Sequence, residues 1–196
     1  MERPIYHIQT ERSWLTSYRI NNQMVQFVEN IVNQIDGDLK ANLPIMIYGK
    51  ECIQHRSIGF FSNESIGYKY SKKLVESKPL NDDLWILVNW INWKFKSDYN
   101  SILINKYLNG SEYIGKHSDD ESALSNAGVV SLSSGAIRTF RIRCKTSGRI
   151  IKDILTNSDQ ILIMGGDFQK EFTHEVPIDK TVNTARYSLT FRKHLI

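Results

Sequence analysis

The sequence predicts an α+β fold that is mainly β, a sandwich or barrel of short strands with two supporting α-helices on one side. Three observations lead there. Two segments in the first half repeat apolar residues at helical spacing. From about residue 100 onward the pattern shortens to alternating segments broken by turn residues. No Pro/Gly/Ser linker, internal repeat or low-complexity tract divides the chain, so a single domain over residues 1–196 is expected, long enough to bury one core.

In the first helix Met24, Val28, Ile31 and Ile35 share a face behind Asn21 or Asn22 as cap, and Gly37 follows as a stop. It should pack on a sheet as part of a helical N-terminal extension, residues 1–43, that begins as a loose leader. Ile58 to Phe61 and Tyr68 to Tyr70 flank Ser62-Asn63-Glu64-Ser65 and read as a hairpin. The second helix begins after Asn81, with Asp82 and Asp83 in the first turn where the dipole favours acids. It runs through Leu84, Leu87, Trp90, Ile91 and Phe95. Trp85, Trp90 and Trp93 could offer a base-stacking platform, but helical spacing predicts core packing for them. Later strands are expected over Ser101 to Tyr107, Val129 to Leu132, Ile137 to Ile142, Gln160 to Met164 and Arg186 to Arg192.

Hydrophobic residues make up 41% of the chain and charged residues 23%, which excludes disordered and fibrous classes. No apolar run approaches the roughly 18 residues of a membrane span, and the first thirty residues lack the apolar core of a signal peptide. A soluble monomer inside the cell, in nucleus or cytoplasm and without a membrane partner, is the expectation. Cys52 and Cys144 have neither redox-pair nor zinc-site spacing and read as reduced thiols. A net charge of +4 suits a polyanionic partner, though many basic proteins never meet nucleic acid.

His117 and Asp119 are two apart, so on an extended strand they project from one face and one metal can see both. His174 lies beyond three candidate strands. Two histidines and a carboxylate form the facial set that holds non-haem Fe(II) with open positions; zinc is the competing metal. The last strand places Arg186, Ser188, Thr190 and Arg192 on one face and Tyr187, Leu189 and Phe191 on the other. On an ordinary amphipathic strand those arginines would face solvent. Beside an open Fe(II) site, their guanidinium forks match a dicarboxylate such as 2-oxoglutarate, leaving a position for O2.

The stretch from Leu103-Ile104-Asn105-Lys106-Tyr107 to His117-Ser118-Asp119-Asp120-Glu121 resembles the central motif of the AlkB family of Fe(II)/2-oxoglutarate-dependent dioxygenases. His174-Glu175-Val176-Pro177 and Arg186-Tyr187-Ser188-Leu189-Thr190-Phe191-Arg192 resemble its second motif, so that about residues 44–194 are covered. The resemblance implies a double-stranded β-helix, or jelly roll, with His117, Asp119 and His174 holding Fe(II). It implies further that Asn105, Tyr107 and Arg186 hold the distal carboxylate of 2-oxoglutarate, that Arg192 faces its metal end, and that Thr190, with Ser188 on the same face, lines the pocket.

Tyr68-Lys69-Tyr70-Ser71 resembles the base-gripping element of the eukaryotic DNA alkylation repair branch. That likeness implies that Tyr70, with Tyr68 beside it, stacks on a flipped base against His117, and that Glu121 meets the base edge while Asp120 is structural. Plain strand packing is the alternative for both tyrosines. Arg141, Arg143 and Lys145 alternate onto one face that suits phosphate contacts or simply solvation, and Lys180 is a further cation by resemblance. The chain departs from that branch around Met46-Ile47-Tyr48-Gly49, where no gap-filling residue stands out, and at a shorter loop near Ser147-Gly148-Arg149. The activity implied is oxidative demethylation of bases such as 1-methyladenine and 3-methylcytosine, in DNA or RNA, single-stranded substrate included. The alternatives are a hydroxylase or demethylase of a protein or small molecule, and a jelly roll that has lost its iron.

Overall fold

The structure is a computed structural model that describes residues 3–47, 49–70, 73–120 and 128–194, apart from the side chains of residues 47, 69, 70 and 73. The fold is the expected mainly β one, two facing sheets with the two long helices on one side. The strands are β1 (Ile5–Gln9), β2 (Ser13–Arg19), β3 (Pro44–Ile47), β4 (Lys50–Ile53), β5 (Ser57–Ser62), β6 (Gly67–Tyr70), β7 (Lys73–Lys78), β8 (Ser101–Tyr107), β9 (Ile114–His117), β10 (Val129–Gly135), β11 (Arg138–Cys144), β12 (Ile150–Thr156), β13 (Gln160–Gly166), β14 (Phe172–Val176) and β15 (Arg186–Arg192). The helices are α1 (Asn22–Gln34), α2 (Asp82–Phe95) and the single turn α3 (Phe168–Glu171). A nine-stranded sheet runs in the order β1-β2-β13-β10-β15-β8-β5-β7-β6, and a four-stranded sheet in the order β12-β11-β14-β9. β3 and β4 form a separate hairpin.

Period two decides what each face of the large sheet does. Ile102, Ile104, Val130, Leu132, Leu189 and Phe191 point outward and pack against Val28, Ile31 and Val32 of α1 and Leu84, Leu87 and Ile91 of α2. The alternate residues of the same strands face the small sheet. There Val129, Leu162 and Met164 meet Phe140, Ile142 and Phe172 to form a second core. Both long helices are capped as their sequences suggest: Asn21 Oδ1 accepts from the Met24 N–H at 2.9 Å, and Asn81 Oδ1 from the Leu84 N–H at 2.8 Å. Lys106 Nζ bonds both oxygens of Asp36 at 2.6 and 2.8 Å, and the Tyr187 hydroxyl donates to Asp36 at 2.7 Å, tying the end of α1 to the outer face of β8 and β15.

Three expectations fail here for identifiable reasons. The N-terminal extension is not a loose leader followed by a helix: β1 and β2 extend the large sheet, with Leu15 opposite Met164 of β13. The segments Ile58–Phe61 and Tyr68–Tyr70 are strands but not partners, because β7 inserts between them, parallel to β5 and antiparallel to β6. Trp85 and Trp93 are 50% and 75% exposed, since they fall on the stripe opposite Leu84, Leu87, Val88 and Ile91; Trp90 alone of the three packs against the core. Among the described residues no helix is long and apolar enough to cross a membrane.

Candidate active site

A cavity opens between the two sheets where β8, β9, β14 and β15 meet, and the sheet registers fix what lines it. β14 pairs with β9 so that His174 stands opposite His117, and Asp119 follows two residues past the end of β9. The His117 Nε2 lies 3.9 Å from Asp119 Oδ1, and the His174 Nε2 lies 3.7 Å from Asp119 Oδ2. Two ligands of one metal can be at most about 4.4 Å apart when each bond is ~2.2 Å, so both pairs fit a shared ion. Among the described residues these three form the one such cluster, their ligand atoms all lying within 4.8 Å of one another.

The chemistry of the donors also fits a metal. The His117 Nδ1–H donates to the Gly115 carbonyl at 2.9 Å, which leaves Nε2 as the lone pair facing Asp119. Burial holds His117 below the ordinary histidine range, only partly opposed by Asp119, and burial together with His117 pushes His174 down to about 3. Both imidazoles are therefore neutral, as ligation requires. Burial by itself would raise the Asp119 carboxyl, but the charge of Arg192 and its hydrogen bond to the carboxylate oppose this and hold the group below the ordinary range. Arg192 Nη2 donates to Asp119 Oδ1 at 2.5 Å and orients the carboxylate, while the Asp119 backbone N–H donates to Gln169 Oε1 at 2.9 Å and holds the main chain.

Beyond the triad the inward face of β15 meets that of β8. Arg186 stands opposite Tyr107 and Ser188 opposite Asn105, and all four line the cavity. Arg186 is 2% exposed. Its Nη2 donates to Ser133 Oγ at 2.9 Å, while Nε and Nη1 have no hydrogen-bond partner among the described residues. Burial pulls its guanidinium down to about 10, with Tyr107 opposing and Arg138 adding to the fall. A buried guanidinium that lines a cavity with two of its nitrogens unmet calls for an anionic ligand, and a carboxylate matches its fork. Ser188 Oγ is hydrogen-bonded to Ser131 Oγ at 3.1 Å, and Thr190 lines the wall between Ser188 and Arg192.

Arg138 secures the far end of this pocket. It is 1% exposed and donates to the carbonyls of Asn109, Glu112 and Pro177 at 3.0, 2.9 and 2.7 Å, clamping the turn after β8 to the end of β14. Gly110 lets that turn close: a Cβ there would sit 1.6 Å from the Asp179 carbonyl oxygen. Arg56 also lines the cavity, its Nε–H donating to Asn105 Oδ1 at 2.8 Å. Neither arginine was expected from the sequence, yet period two held the signal, because Arg56 continues the inward face of Ile58 and Phe60, and Arg138 that of Phe140 and Ile142.

The residues expected to meet substrate divide. Tyr68 is buried in the cavity wall, its ring stacked on Phe60 at 6.0 Å with the Arg192 guanidinium 5.1 Å from its centroid. The side chain of Tyr70 and the whole of Glu121 lie outside the described residues. Arg143 does not reach the cavity. It sits on the outward face of β11, where Nε donates to Glu175 Oε1 at 2.8 Å and Nη1 to the Gly148 carbonyl at 3.1 Å. Arg141 is likewise held by both oxygens of Asp153, and Lys145 by Asp120 and the Gln169 carbonyl. This charged face is a ladder of ion pairs rather than a row of free cations. Alternation along β11 predicted the face correctly, but the acids that neutralise it come from β12, β14 and the segment after β9.

The profile of the 2OG-Fe(II) oxygenase superfamily matches residues 20–192. The chain belongs to this superfamily. As an Fe(II)/2-oxoglutarate-dependent dioxygenase it has its metal ligand set in His117, Asp119 and His174. Within the superfamily it is AlkB-like. It is similar to the DNA oxidative demethylase ALKBH2 of Homo sapiens, 27% identical over 184 residues, 89% of this chain and 69% of that protein. Similarity extends to the alpha-ketoglutarate-dependent dioxygenase alkB homolog 3 of Mus musculus, 34% identical over 135 residues, 64% of this chain and 47% of that protein. The ALKBH2 protein of Arabidopsis thaliana is 26% identical over 178 residues, 76% of this chain, which spans 56% of its length.

Proposed function

We propose that this dioxygenase oxidatively removes methyl groups from nucleic acid bases of the 1-methyladenine and 3-methylcytosine type, in DNA or RNA. The observation that carries the reading is similarity over 89% of the chain to a DNA oxidative demethylase. Tyr68 supports it, being a buried aromatic ring in the wall of the cavity that holds the triad, where a base could pack.

When bound, Fe(II) with 2-oxoglutarate and O2 supplies the oxidation of the N-methyl carbon, with formaldehyde, succinate, CO2 and the unmodified base as products. The chain supplies position and charge. His117, Asp119 and His174 would hold the metal; Asn105, Tyr107 and Arg186 would hold the distal carboxylate of 2-oxoglutarate, and Arg192 would steady Asp119 beside its other end. A base must leave its stack to enter so deep a cavity, at a cost of a few kcal/mol, least for a lesion or a single strand. Glu121, by resemblance, would meet the edge of that base, its carboxylate suiting the positive charge that methylation places there. With Arg143 engaged by Glu175, the exposed Lys116 beside His117 is the cation this reading assigns to phosphate.

The test is single-stranded DNA carrying 3-methylcytosine, incubated with Fe(II) and 2-oxoglutarate beside an Asp119→Ala control. Loss of one methyl mass, abolished in the control, is expected. Succinate released with no change in any methylated DNA or RNA base would instead point to a protein or small-molecule substrate.

A further inference from the structure

A carboxamide has two unlike ends, an oxygen that only accepts and a nitrogen that only donates. If Asn105 is to meet a carboxylate, it has to present the nitrogen. Rotation about its last torsion would otherwise offer either end, because the broad energy profile there hardly distinguishes them. Arg56 removes that freedom. It is 5% exposed and lies just before β5, whose Ile58 stands directly opposite Asn105 of β8, so the sheet register itself brings the two side chains together. The Nε–H of Arg56 donates to Asn105 Oδ1 at 2.8 Å. A guanidinium has no acceptor atom, so it can only engage the amide oxygen, and the Nδ2 hydrogens remain as the end that Asn105 turns to the cavity. Formal charge adds to this. The described lining of the cavity brings the guanidinium groups of Arg56, Arg186 and Arg192 against the single carboxylate of Asp119, an excess that favours a dianion over a monoanion.

We propose that Arg56 is a positioning residue of the cosubstrate pocket: by locking the Asn105 carboxamide with its nitrogen toward the cavity, it sets the preference for a 2-oxo dicarboxylate over a 2-oxo monocarboxylate. The inference rests on the assignment of Asn105, Tyr107 and Arg186 to the distal carboxylate of 2-oxoglutarate. Arg56 itself acts through Asn105 and through its charge.

Calorimetric titration of the Fe(II)-loaded protein under anaerobic conditions tests both layers without turnover. The ligands are 2-oxoglutarate and 2-oxobutyrate, which share the 2-oxo acid end and differ in the distal carboxylate. Tighter binding of 2-oxoglutarate by the wild-type chain is expected, and equal affinities there would remove the pocket assignment and the proposal with it. In Arg56→Met, affinity for 2-oxoglutarate should fall about tenfold, the weight of one hydrogen bond to a charged group, while that for 2-oxobutyrate, which loses only the weaker attraction of one charge, falls much less. Arg56→Lys, which keeps a donor and the charge, should recover part of the loss. Asn105→Ala added to Arg56→Met should weaken 2-oxoglutarate by much less than it does in the wild-type background. Equal weakening of both acids in Arg56→Met and in Arg56→Lys would mean a collapsed pocket and overturn the proposal. So would unchanged 2-oxoglutarate affinity in a wild-type protein that discriminates.

Discussion

Replacing Arg138 with methionine, similar in length and without charge, should be among the most damaging single changes outside the metal set. Its guanidinium is almost wholly buried and gives three hydrogen bonds, to the carbonyls of Asn109, Glu112 and Pro177. Each bond from a charged donor contributes about 1.5–3 kcal/mol net. The sum overstates the loss, because burial already disfavours the charged guanidinium, a cost that Tyr107, Asp179 and Glu112 only partly offset. Each carbonyl left without its donor costs about 1–3 kcal/mol, and with three of them open and the burial of the charge relieved, a loss of about 3–5 kcal/mol is expected. For a chain of this length, about 2–4 °C of melting temperature accompanies each kcal/mol, so a fall of roughly 6–20 °C is expected. Urea and thermal melts followed by circular dichroism measure it. Hydrogen exchange at Gly110, whose N–H donates to the Val182 carbonyl at 2.7 Å, should speed up in the same variant as the clamp on that turn loosens. A loss below about 1 kcal/mol with Gly110 protection unchanged would refute the view that Arg138 holds the two turns together.

Arg186→Gln should weaken 2-oxoglutarate binding by about a hundredfold, since it removes the charge and the fork that has no partner among the described residues; calorimetry that finds less than a threefold change would contradict the assignment. Helix α2 offers a contrast: Trp93→Ser, at an exposed site, should change stability by under about 0.5 kcal/mol, whereas Leu87→Ala, at a site with no exposure, should cost about 2–5 kcal/mol in the same urea melts. The hydrogen bond from Lys106, joined by Tyr187 and against the effect of burial, holds the Asp36 carboxyl below the usual range. A depressed acid contributes stability that is fully present above its unfolded pKa and is lost as pH falls through the folded value. Asp36→Asn should therefore destabilise at pH 7, by under about 1 kcal/mol at a pair this open to solvent, with the difference shrinking once pH drops below that of free aspartate and gone only below the lower folded value. Unfolding curves at pH 7 and pH 3 that differ by the same amount would sink this reading.

The parts of the molecule that were legible in the sequence are those fixed by local periodicity. β15 shows this best, its two faces separating into Tyr187, Leu189 and Phe191 against the helices and Arg186, Ser188, Thr190 and Arg192 in the cavity. The caps of α1 and α2 and the His117–Asp119 pair belong to the same class. Long-range pairing was not legible. β2 finds its partner β13 about 150 residues away, and nothing in Lys73 to Lys78 says that it will separate β5 from β6. The helix α2 is apolar around most of its circumference, so spacing alone could not choose between the stripe that holds Leu87 and the one that holds Trp85 and Trp93. For Arg56 and Arg138 the obstacle was chemical. Alternation placed both inside, but a buried arginine reads as an exception until its carbonyl or amide acceptors are known, and those lie on distant segments. Arg143 is the converse case, a cation placed on the right face whose partner Glu175 comes from β14.

The most direct test of base demethylation at the His117, Asp119 and His174 site is a stoichiometric one. An oligonucleotide containing one 3-methylcytosine is taken to completion in a single reaction, and methyl groups lost from the base, formaldehyde and succinate are counted together. Equal amounts of all three, with only background succinate on the unmethylated oligonucleotide, are predicted. Succinate formed at the same rate with and without the methyl group, and no formaldehyde, would contradict it.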